Sequence, residues 1–89
     1  MKSNFHMIRE FKDFKPKQRG VIDEGEVKKI YEQFQLKDRT DVELQNLRDF
    51  VVMYYGRKND AEFDADQWDV MSAITGVIDH EKWHRGMEV

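Results

Sequence analysis

Apolar residues recur along the chain at helical spacing, in blocks separated by short polar breaks. Val27, Ile30, Tyr31 and Phe34 fall at i, i+3, i+4 and i+7, one apolar stripe on a charged segment. Asp23 stands before this block as an N-cap, with Glu26 three residues on to reach back and Ile22 and Val27 placed as a hydrophobic staple. This predicts a helix over about residues 24–36.

Thr40 and Glu43 have capping-box spacing, and Leu44, Leu47, Val51, Tyr54 and Tyr55 mark the core side of a second long helix over about 41–55. Within it Phe50 to Tyr55 is apolar all round, which predicts the most buried part of the molecule, with a second copy of the chain as another way to cover it. Those residues would also suit a strand, but the upstream capping box and Gly56 as a stop favour helix. Only Lys37, Asp38 and Arg39 separate this helix from the one before, so the two are expected to be antiparallel neighbours.

Asp64 and Gln67 cap a third helix over about 65–84, with Phe63 and Trp68 as its staple. Val70, Met71, Ile74, Val77 and Ile78 form its stripe, Gly76 lies inside that stripe as a point of close approach, and Gly86 ends it. Phe5, Ile8 and Phe11 predict a shorter N-terminal helix over about 4–14, with Ser3 near its cap. The expectation is a single all-α domain over 1–89, a small bundle of three firm helices and this shorter one.

Composition narrows the class. Eighty-nine residues without cysteine exclude a disulfide framework and a thiolate metal site, so stability must come from packing, to which the 12% aromatic content contributes. No stretch approaches the ~20 apolar residues needed to span a bilayer. The charged first residues leave no signal-peptide core, and a cytoplasmic protein is expected.

The net charge of −3 hides an uneven distribution. Residues 1–19 carry six cationic side chains against two acidic ones, while 59–81 carry seven acids and no Lys or Arg. Such polarity concerns partners and long-range fields rather than fold.

The sharpest motif is His80-Glu81-Lys82-Trp83-His84, an H-E-x-x-H. On a helix it puts two imidazoles one turn apart, able to share a zinc ion with the intervening Glu as general base. Its context opposes a peptidase: a middle position is Lys82, only five residues remain for a third ligand, and Gly86 misses its place in the longer form of the motif. The helical wheel sets His80 and His84 beside the core stripe, facing mostly solvent without a cleft, and points Glu81 along the stripe. No metal is therefore expected; if one binds, His80 and His84 hold it.

The acidic run through Asp60, Glu62, Asp64 and Asp66 resembles a calcium loop only superficially, because Ala65 and Met71 occupy the required Gly and Glu places. Asp64, Asp66 and Asp69 complement a helix N-terminus, and with Asp60 and Glu62 they also form a candidate docking surface for a basic protein. Trp83, off the apolar stripe, is a candidate anchor for the same partner. The basic segment with Lys12, Lys15, Lys17 and Arg19, interleaved with Phe11 and Phe14, is the alternative, a phosphate-binding surface for nucleic acid. Against it stand the overall acidity and the start of the 41–55 helix, where Asp41, Glu43 and Asp49 outnumber Arg48.

No nucleophile motif or phosphate-binding Gly-rich loop is present, so neither an enzyme nor a cofactor is expected. The adopted reading is a non-enzymatic module that binds a larger protein. Its small size, lack of cysteine and high charge are common among phage and mobile-element accessory proteins.

Overall fold

The computed structural model describes residues 3–11, 14, 23–56 and 65–87. Its elements are α1 (Asn4–Glu10), α2 (Glu24–Phe34), a 3-10 turn (Leu36–Asp38), α3 (Asp41–Gly56) and α4 (Ala65–His84), with no strand among the described residues. The domain is all-α, as the periodicity predicts.

The helix starts follow local chemistry. Asp23 Oδ1 accepts from the Glu26 backbone N–H at 2.8 Å, and Ser3 Oγ from that of His6 at 3.1 Å. Thr40 and Glu43 close a reciprocal capping box: Glu43 N–H donates to Thr40 Oγ1 at 3.2 Å and Thr40 N–H to Glu43 Oε1 at 3.1 Å. Each bond satisfies an amide that the first helical turn leaves without a partner. At the far end of α4, Gly86 adopts φ +82°, while its N–H bonds the Trp83 carbonyl and the Met87 N–H bonds the Lys82 carbonyl, both at 2.9 Å. That is a Schellman closure, and the positive φ suits glycine. The staples assigned to Ile22 and Phe63, and the Asp64 cap, lie outside the described residues.

Two ends differ from expectation. α1 stops at Glu10 instead of reaching residue 14, because Phe11 leaves the helix to stack on Phe14 (centroids 4.4 Å apart) and to meet Phe34 edge-on at 5.5 Å. Met7 joins Ile8 and Phe11 in the core, while Phe5 is half exposed. α2 stops at Phe34 instead of Leu36: Gln35 takes a left-handed φ of 52°, and the chain continues as the 3-10 turn with Leu36 fully buried. Arg39 Nε then donates to the Phe34 carbonyl at 2.7 Å, satisfying an acceptor the helix end exposes.

That change of direction decides the packing. α2 packs on α4, the 3-10 turn and α1, not principally on α3, so the expected α2–α3 antiparallel pair is replaced. α3 pairs most extensively with α4, and Arg48 Nε–Asp79 Oδ1 (2.8 Å) and Lys82 Nζ–Gln45 Oε1 (2.5 Å) register the two as antiparallel. The core is Met7, Ile8, Phe11, Ile30, Phe34, Leu36, Leu44, Leu47, Val51, Tyr55, Val70, Ala73, Ile74, Val77 and Ile78.

The run from Phe50 to Tyr55 is helical but not wholly buried. Val51 and Tyr55 face the core, whereas Val52 and Met53 are 42% and 46% exposed, because no helix among the described residues lies against that face of α3. Gly76 also departs from expectation: it lies outside the buried side of α4, and among the described residues a Cβ there would meet nothing within 4 Å beyond its own helix backbone. Inside a helix it lowers stability by about 1 kcal/mol relative to alanine.

Candidate interaction face

α4 presents its inner side, Val70, Ala73, Ile74, Val77, Ile78 and Glu81, to the core. At about 100° per residue, the positions most nearly opposite are Ser72, Asp79 and Trp83, with Trp68 and Gly76 on either side of them. Trp83 is 70% exposed, and its ring lies 6.4 Å from that of His80. Trp68, assigned to a staple by the sequence pattern, is 55% exposed on the same outward side. The two indoles are about 22 Å apart along the axis and within about 60° around it. The fifteen-residue interval between them was the signal that pairs them.

The H-E-x-x-H residues diverge. Glu81 is buried, accepting from the Tyr31 hydroxyl at 3.4 Å and from Arg85 Nε at 3.5 Å. Lys82 is only 5% exposed and is committed to Gln45 across the α3–α4 interface. His80 and His84 remain exposed, as the helical wheel predicts. They do edge a groove, contrary to the expected absence of a cleft: about 540 Å³ between α2 and α4, lined by Val27 and Tyr31 with Lys28, Lys37, His80 and His84 and also the acidic Glu24 and Glu81. Lys37 Nζ stands 5.9 Å from the centre of the Tyr31 ring. Burial, reinforced by the Glu81 carboxylate, pushes the Tyr31 hydroxyl above its ordinary pKa. Among the described residues, no three His, Asp or Glu side chains are placed to hold a metal ion together.

Of the other candidate residues, Asp66 lies in the first turn of α4 and Asp69 is half-buried on its outward side. Asp60, Glu62 and Asp64, and the basic Lys12, Lys15, Lys17 and Arg19, lie outside the described residues. The structure thus brings Asp69, His80, Trp83 and His84 onto one helix. Two buried cations escaped the sequence pattern, Arg39 and Lys82. Burial lowers the Arg39 guanidinium from its usual range, with Glu43 opposing the shift.

No helix among the described residues is long and apolar enough to cross a membrane. No family model matches the chain, and neither a curated protein nor a solved structure shows significant similarity to it.

Proposed function

We propose that this chain is a non-enzymatic protein-interaction module that docks a larger protein with a basic surface, through the outward face of α4 and the acids around its start. The observation that carries this reading is Trp83, 70% exposed on the side of α4 farthest from the core. An indole held in water is a reserve of apolar area, and its burial in a partner's pocket is the kind of contact that dominates protein interfaces. The five acids without a Lys or Arg across 59–69 supply a one-sign field that steers a basic partner and fixes orientation; Asp79 and Glu81 are taken up by Arg48 and Arg85 within the fold. A phage or mobile-element accessory protein that occupies the basic groove of a host enzyme fits this chemistry.

The test is a nuclease-treated pull-down from source-cell lysate, washed at low and high salt, with wild type beside Trp83→Ala and a variant carrying Lys at 60, 62, 64 and 66. A protein retained by wild type, weakened by salt and lost with both variants supports the reading. Capture that requires intact nucleic acid and fails on neutralising Lys12, Lys15, Lys17 and Arg19 overturns it in favour of phosphate binding.

A further inference from the structure

Val27 and Tyr31 stand one turn apart on α2, and each packs against the core while staying only partly covered. Their uncovered sides line the open groove of about 540 Å³ against α4, a volume in the range of small-molecule sites. The Tyr31 ring is held at its hydroxyl, which donates to Glu81 Oε2 at 3.4 Å. The apolar surface is therefore in place before anything binds, which lowers the cost of binding.

Six charged or titratable side chains border this surface besides the Tyr31 phenol, and they are not equivalent. Glu81 is buried and also accepts from Arg85 Nε at 3.5 Å, so its charge is matched within the fold. Glu24 stands one turn before Lys28 on α2, the order in which opposite charges on a helix offset each other. Lys37 is left over. Its Nζ lies 5.9 Å from the centre of the Tyr31 ring, and it makes no ion pair among the described residues. Across the groove His80 and His84 are exposed one turn apart, and an imidazole offers a ring N–H in either charge state. The balance is one unmatched cation and two N–H donors beside an apolar floor. That suits a single negative charge. A second would meet the Glu24 and Glu81 carboxylates, and a cation would meet Lys28 and Lys37.

We propose that the groove between α2 and α4 binds a small planar molecule carrying one anionic group, of the aromatic carboxylate or sulfonate class. Its ring lies on Val27 and Tyr31, and its anion faces Lys37 and the side of α4 that carries His80 and His84. This site is distinct from the Trp83 face and stands whether or not that face docks a protein.

The probe is naphthalene sulfonate, titrated into the isotopically labelled full-length chain and followed by NMR. Saturable shifts concentrated at residues 24–31, 37 and 80–84 are expected. Naphthalene methanol, with the same ring and no charge, is expected to bind at least about threefold more weakly, as befits one exposed charge contact. Lys37→Glu should weaken sulfonate binding by at least the same factor, while Lys37→Arg binds as wild type and circular dichroism stays unchanged in both. Shifts centred on Phe5 or Trp83, the other exposed aromatic side chains nearest to hand for such a ring, overturn the proposal. So do equal affinities for the two naphthalenes, a Lys37→Glu variant that binds as wild type, or no saturable shift at millimolar probe.

Discussion

Arg85 Nη1 donates to the backbone carbonyl of Arg39 at 2.7 Å, tying the end of α4 to the peptide that leads into α3. The same guanidinium reaches the Leu36 carbonyl at 3.0 Å, the Lys37 carbonyl at 3.4 Å and Asp41 Oδ1 at 3.1 Å. Arg39 turns the other way and donates to the Phe34 carbonyl. Two arginines therefore donate to carbonyls at the end of α2 and along the 3-10 turn, where the Leu36 carbonyl also accepts the Arg39 backbone N–H at 3.3 Å.

Arg85→Ala is expected to destabilise the fold by about 2–4 kcal/mol, since several half-buried acceptors lose a charged donor together. Arg85→Lys recovers only part of this, because an ammonium cannot span carbonyls on separate residues as the guanidinium fork does. Urea denaturation of the three proteins measures both effects; a loss below ~0.5 kcal/mol for the alanine variant contradicts the clamp.

Lys82 and Gln45 form an asymmetric pair. Gln45→Ala removes the acceptor and leaves a buried ammonium, for an expected loss of about 1–3 kcal/mol. Lys82→Met removes the cation itself and packs a similar volume, and is expected to be milder or neutral. A double-mutant cycle read by thermal unfolding tests the order, and equal losses contradict it.

Tyr55 is buried in the core, and that burial, with Tyr54 adding to it, pushes its hydroxyl from the ordinary 10.0 up to about 12. The neutral phenol is the form the fold accepts. Its contribution is fully present below the unfolded value and is lost as pH rises from about 10 towards 12. Tyr55→Phe should flatten the alkaline loss of stability in this window, measured by denaturation at stepped pH.

The capping box carries its own pH signature. The Thr40 N–H, aided by the Thr40 side chain, holds the Glu43 carboxyl below its ordinary pKa. Its stabilisation is present above the unfolded carboxylate range and is lost as pH falls through the lowered folded value. Glu43→Gln should differ from wild type at neutral pH and converge with it in acid. Thr40→Ala should lose about 1 kcal/mol as an N-cap deletion, and thermal unfolding at pH 7 and in acid follows both.

Trp83→Ala should leave stability within about 0.5 kcal/mol of wild type, because a side chain so exposed supports little of its own fold. Its effect belongs in the binding assay. Loss of fold in circular dichroism would place the indole in the core instead.

Sequence by itself determined the local events. Asp23, Thr40 and Gly86 start and stop helices through bonds that span three to five residues, and those bonds form where the pattern puts them. The outward position of His80, Trp83 and His84 followed from helical geometry alone. Tertiary structure decided what depends on distant partners. Left-handed Gln35 and the 3-10 turn redirect the chain so that α4, not α2, lines α3. That pairing buries Lys82 against Gln45, draws Glu81 to Tyr31, opens the groove beside His80 and leaves Val52, Met53 and Gly76 outside. The physical reason is range: caps and periodicity act within a few residues, whereas the side a helix buries is set by which other helix reaches it.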